Sequence, residues 1–265
     1  MSLFKKPRKK QNKVSILPNF VLLDSAELDI DLFIKDFQDE WGIKIPAMDE
    51  NVEKDSEFPM IVVEFDNMKI VVSLMPAPIP NGEAVDNAKT NFRWPNAVEV
   101  AESHKAHVLI IVMPLGEQSL LEVATLQTKL CVTCLKQPNA IAINAAGTVF
   151  DPDFYKDSAH FAFENKAFPI MNHVFFGLYS NDDGKTFSGY TYGLSNLGKQ
   201  DIEILDSNQN ANEVLEFMVD ISTYIIESDA ILKDGETIGF TAEQKIPITE
   251  SDGIAVDGKT LKIGF

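Results

Sequence analysis

Cysteine is nearly absent: Cys131 and Cys134 are the only two in 265 residues. Two thiols cannot staple a chain of this length, which excludes a disulfide framework and fits a reducing compartment. No apolar run approaches the ~20 residues needed to cross a bilayer. Met1 is followed by charge rather than by a hydrophobic leader, so the expected location is cytoplasmic. Positive charge is scarce after the first thirteen residues, where Lys5, Lys6, Arg8, Lys9, Lys10 and Lys13 stand without an acid. Taking that +6 out of the formal charge of −17 leaves −23 on the remainder. Such a body repels phosphate backbones, which argues against nucleic acid as its partner, and steers basic proteins towards it. Residues 1–15 read as a basic, disordered, solubilising tail; the other use open to them is weak contact with anionic lipid or nucleic acid, at roughly 1 kcal/mol per base.

The signatures of familiar chemistry are missing as well. There is no nucleophile elbow, no phosphate-cradling Gly-x-x-x-x-Gly-Lys and no Gly-x-Gly-x-x-Gly. The four histidines, His104, His107, His160 and His173, form no His-Glu-x-x-His metal pair. No metal site and no cofactor is expected. Cys131 and Cys134 have the two-residue spacing of redox and zinc motifs, but they fall inside a helical stretch between Leu130 and Leu135, and no further cysteine exists to complete a zinc site, so core packing is the better reading.

What is present is an ordinary globular composition, 45% hydrophobic and 24% charged, that can bury a sizeable core. Phe20–Leu23 reads as a buried strand. Asp24–Trp41 reads as an amphipathic helix carrying Leu28, Leu32, Phe33, Phe37 and Trp41 on one face and stopped by Gly42. Residues 61–65 and 69–75 flank the turn Asp66-Asn67 as a hairpin that emerges from an acidic loop near Asp49–Glu57. The proline-rich segment 75–82 is an extended loop, and Glu83–Lys105 is helical with a break at Trp94-Pro95. His107–Met113 is a continuous apolar strand. This β-α-β-β-α-β succession predicts a ferredoxin-like first half over residues 16–115.

Residues 116–265 predict a second α+β half packed with the first as one body. It comprises a helix at 119–136, a strand at 140–144, a helix from 151 to about 164 with Asp151 as N-cap and Pro152 at its first position, strands near 173–179 and 189–194, and a periodic helix at 212–227. Asp234-Gly235 and Asp257-Gly258 predict small terminal hairpins. The expected class is α+β, with antiparallel or mixed sheets and helices on one face.

Two aromatic segments stand out as contact candidates, Asn91-Phe92-Arg93-Trp94-Pro95 and Gly189-Tyr190-Thr191-Tyr192-Gly193. Tryptophan, tyrosine and arginine dominate binding hot spots because they bring large area with few rotors and keep a polar handle. Arg93, Trp94, Tyr190 and Tyr192 are therefore the partner-binding candidates, although the two tyrosines point to one side of their strand and could equally tile a sheet against a helix. His104, near a helix end, is explained by capping.

The strings MPAPIPNGEA, NFRWPNAVEVAESHKAHVLIIV, GTVFDPDFY, GYTYGLSNLGKQDIEILD and LKDGETIGFTAEQKIPITESDGIAVDG resemble a bacterial family known as domain of unknown function forty-two sixty-one. That resemblance implies no activity and assigns no residue a role.

The function expected from these features is non-catalytic protein binding, in concrete form an immunity-type protein that occupies a bacterial toxin. An alternative is a hydrolase or transferase using His104 and nearby carboxylates in a cleft beside loop 75–82. A third is a small regulatory module tethered to membrane by the tail.

Overall fold

The computed structural model describes residues 16–45, 52–53, 58–241 and 243–265. The basic tail and most of the acidic stretch Asp49–Glu57 lie outside the described residues. The rest divides into two compact units, residues 16–172 and 173–265. The boundary is not at 115/116, because strands beyond that point complete the first sheet.

In the first unit that sheet has seven strands in the order β2-β3-β4-β5-β1-β6-β7. They are β1 (Asn19–Leu23), β2 (Val52–Glu53), β3 (Met60–Phe65), β4 (Met68–Met75), β5 (Ala106–Pro114), β6 (Ala140–Ala145) and β7 (Thr148–Phe150), and every neighbouring pair is antiparallel. The β3–β4 hairpin turns on Asp66 and Asn67, both at positive φ (50° and 54°), as a type I′ turn demands. The β6–β7 hairpin, not foreseen, turns the same way on Ala146 and Gly147.

The succession β-α-β-β-α-β is present, but its pairing is not ferredoxin-like. β5 lies between β4 and β1, so β1 and β3 run antiparallel with two strands between them. The cause is in β5 itself. Val108, Ile110 and Val112 are buried on one face, and so apolar a strand is central, with a ladder on both edges. Just ahead of the start of β1, the Val112 N–H is met by Gln127 Oε1 (3.2 Å), whose Nε2 donates to the Leu17 carbonyl (2.7 Å).

Helices cover both faces of this sheet, not one. Leu22, Ala142 and Val149 point into a cluster with Ala84 and Ala88 of α2 (Glu83–Ala88) and Ala97 and Ala101 of α3 (Ala97–Ser103). Side chains alternate across a strand, and Asn19 accordingly points the other way, towards α4 (Leu120–Cys134) and α5 (Pro152–Glu164). α1 (Ile30–Trp41) packs beside α4. α1 begins six residues later than its hydrophobic period suggests. Asp29 is the N-cap, and the preceding loop is held extended by Asn139 Nδ2, which donates to the carbonyls of Ser25 and Glu27, and by Gln137, which both donates to and accepts from the Asp29 backbone. α5 starts on Asp151 with Pro152 first, as expected, and α4 on a Ser119–Glu122 capping box.

The second unit is a six-stranded mixed sheet in the order β11-β12-β13-β10-β9-β8. After the short α6 (Ile170–His173), its strands are β8 (Phe175–Tyr179), β9 (Phe187–Tyr192), β10 (Ile202–Ser207), β11 (Thr237–Ile238), β12 (Ile246–Asp252) and β13 (Lys259–Ile263). The terminal strands pair as antiparallel neighbours, β11 with β12 and β12 with β13, and they extend the sheet, since β13 also pairs parallel with β10. α7 (Ala211–Glu227) lies on one face. Gly189 permits that contact, since a Cβ there would come within 2.5 Å of Met218 Cε.

Candidate functional site

His104 caps the C-terminus of α3 and is 7% exposed. Its Nε2 accepts the Ile79 N–H at 2.8 Å, and its Nδ1–H donates to the Ala101 carbonyl. His107, on β5, donates from Nδ1 to the Ala77 carbonyl at 2.8 Å. Burial first, and then the neighbouring His104, hold the His107 pKa below its ordinary value against the pull of the Ala77 bond. The two imidazoles thus fasten the proline-rich loop to the sheet. With both nitrogens committed to backbone, His104 has no free lone pair for a substrate proton.

Cys131 and Cys134 are fully buried. Asn19 Nδ2 lies 3.4 Å from Cys131 Sγ and also 3.4 Å from the Tyr155 hydroxyl. Burial pushes the Cys131 thiol up to about 12 and Cys134 well above its ordinary value, so both stay protonated and inert, as packing residues do. Among the described residues, no group of three or more histidine, cysteine or acidic side chains is arranged to hold a metal, and no helix is long and apolar enough to cross a membrane.

The contact candidates fare differently. Loop 91–95 is pinned by Asn91, whose Nδ2 donates to the Val149 carbonyl (2.7 Å) while its Oδ1 accepts the Arg93 N–H (3.0 Å). Trp94 is half-buried on the cluster between α2, α3 and the sheet. Phe92 is 49% exposed. The Arg93 guanidinium lies 5.5 Å from the Phe92 ring centre and 5.8 Å from that of Phe154, a cation–π arrangement, and the residue is exposed.

Tyr190, by contrast, is buried, and its ring meets those of Phe175 and Tyr179. It lies over Gly177, where a Cβ would come within 2.2 Å of the ring. Tyr190 is therefore a packing residue and not a contact residue, and burial pushes its hydroxyl up to about 12. Tyr192 is half-buried on the same strand. Arg93 and Trp94 belong to the first unit, Tyr190 and Tyr192 to the second.

Paired with Tyr190 across the ladder is Glu203, which has no exposed surface. Its carboxylate accepts the backbone N–H groups of Ile254 (2.9 Å), Ala255 (2.8 Å) and Val256 (3.2 Å), the Thr260 hydroxyl (3.1 Å) and the Lys262 ammonium (2.8 Å). Burial alone would raise its pKa; Lys262 and the amides of Ile254 and Ala255 outweigh that and hold it below the ordinary value. A carboxylate so saturated is a clamp. It fixes the loop between β12 and β13, at whose surface Ile254 is 47% exposed.

Two features escaped sequence reasoning. At the end of α1, Glu40 meets Lys136 Nζ (2.9 Å) and His160 Nε2 (3.1 Å). Beside it Trp41 stacks on the His160 ring (5.5 Å, 16°), donates from Nε1 to Thr133 Oγ1 (3.1 Å) and receives Lys129 over its face (5.4 Å). These residues come from α1, from α4 and the turn after it, and from α5, and no local pattern joins them. The other was legible: Glu213, Glu216, Asp220 and Glu227 recur at helical spacing on the exposed stripe of α7, with Tyr224 (52% exposed) among them and no basic residue in the helix.

No curated protein and no solved structure matches the chain. The model of one family, described as Domain of unknown function (DUF4261), matches residues 190–264. That stretch holds the Glu203 clamp, Tyr190 and all of α7. Over those residues, in the second unit, the chain is similar to the uncharacterised family DUF4261.

Proposed function

We propose that this chain is a non-catalytic protein-binding protein for a basic partner, in its most concrete form an immunity-type protein that occupies a toxin. The observation that carries the reading is the commitment of His104, whose two ring nitrogens are both spent on backbone. Cys131 and Glu203 are likewise bonded inward, and Cys134 is buried. What faces outward is suited to contact: Phe92, Arg93 and the acidic stripe of α7 around Tyr224. A charge of −23 after the tail supplies long-range steering for a cationic partner.

Tagged full-length protein purified from its native host at low ionic strength should bring down a basic protein in stoichiometric amount. Association should slow steeply with salt, and slow further in a Glu216→Gln, Asp220→Asn, Glu227→Gln variant. Recovery of no stoichiometric partner at low salt sinks the reading.

A further inference from the structure

Resting on the protein-binding reading, we propose that Arg93 is the carboxylate-receiving anchor of the surface: the partner presents a carboxylate beside an apolar side chain, the carboxylate on the guanidinium edge and the apolar group on Phe92. Arg93 is the only arginine after the tail, Arg8 being the other in the chain. The chain holds 40 acidic residues, yet among the described residues none forms an ion pair with Arg93; its recorded neighbours are the rings of Phe92 and Phe154. A guanidinium carries five N–H donors in a flat fork that matches a carboxylate at two points. The Arg93 side chain is exposed and forms no ion pair among the described residues, so its donors remain for a planar anion.

The loop is built before any partner arrives. Asn91 ties it to Val149 and to the Arg93 N–H, and Trp94 pegs it into the apolar cluster between α2, α3 and the sheet. Rigid presentation lowers the entropy cost of docking. The overall charge selects the source of the anion. A body at −23 repels free anions at long range, so a small anion reaches Arg93 only when supplied at high concentration. A carboxylate carried by a protein that is drawn in elsewhere by its bases does not suffer that penalty. A guanidinium held on a built loop then fixes register, because only a partner with an acid in the matching place avoids leaving the charge unpaired.

The scarcity of arginine makes the test direct. Full-length protein labelled with ¹⁵N-arginine shows two Nε–Hε resonances, assigned by Arg93→Lys. The probes are N-acetyl-phenylalanine, offering a chain-terminal carboxylate beside an apolar ring, N-acetyl-aspartate methylamide, offering a side-chain carboxylate, and N-acetyl-phenylalanine amide, which is neutral. The Arg93 signal should move saturably with a carboxylate probe while Arg8 drifts in proportion to concentration, and the amide should leave both in place. Response to the first probe alone assigns a chain end; response to both assigns any carboxylate. Phe92→Ala should weaken the first probe by roughly fivefold or more. An Arg93 signal that moves no further than Arg8, or that moves equally with acid and amide, overturns the proposal. Partner capture that persists in Arg93→Ala beside an unresponsive resonance sinks the anchor alone, whereas no capture by the wild type sinks the binding reading itself.

Discussion

Glu203→Gln is the perturbation that most sharply tests the physical account of the second unit. Glutamine keeps the shape of the side chain but removes its charge. It also turns an amide NH₂ towards a site already crowded with donors: three backbone N–H groups, the Thr260 hydroxyl and the Lys262 ammonium. Lys262 would be left as an uncompensated charge whose side chain is only 13% exposed. Removing one partner of a buried ion pair costs about 3–5 kcal/mol, and a hydrogen bond to a charged group contributes about 1.5–3 kcal/mol. The expected loss is therefore about 3–5 kcal/mol, a large share of the 5–15 kcal/mol of a whole domain. For a unit of this size that corresponds to a fall of more than about 12 °C in Tm. Lys262→Met added to Glu203→Gln should restore part of it, with a coupling energy of about 1–3 kcal/mol.

The pH dependence has a definite sign. Glu203 holds a folded-state pKa below its ordinary value of 4.5, so its contribution is complete above that value and is lost as the pH falls through the lowered one. The wild-type advantage over Glu203→Gln should therefore shrink only below pH 4.5. Urea unfolding at several pH values measures the difference, and hydrogen exchange at the amides of Ile254, Ala255 and Val256 localises it. A variant that melts within about 1 kcal/mol of wild type and keeps those amides protected would refute the clamp.

The remaining predictions concern packing. Cys131 and Cys134 should resist thiol reagents in the native protein and react only on unfolding, because both are buried and the Cys131 thiol is pushed up to about 12; brisk native-state labelling at neutral pH would contradict their placement. Gly189→Ala should destabilise by about 1 kcal/mol, since the added methyl meets Met218 Cε and Val214 Cγ1 and forces the methionine side chain aside; denaturant titration that places it level with wild type would show that α7 does not lie so close.

Much of the element succession was legible because local chemistry wrote it. Asp151-Pro152 starts α5, Asp66-Asn67 turns the β3–β4 hairpin, and Pro95 separates α2 from α3. β10 was not foreseen. Its run Ile202-Glu203-Ile204 sets a carboxylate among apolar residues, which reads as a half-exposed stretch unless the loop that saturates Glu203 is known. The late start of α1 depended on Gln137 and Asn139, more than a hundred positions away.

By itself the sequence determined the class, the acidity of the body, many of the caps and turns and the core placement of the cysteine pair. These follow from composition, period and backbone preference, which act within a few residues. Tertiary structure alone decided that β5 pairs with β4 as well as with β1, that helices cover both faces of the first sheet, that Tyr190 turns inward and that His104 is spent on backbone. Those outcomes depend on which buried donors and acceptors find partners across the chain, and a buried polar group takes whatever partner the fold brings to it.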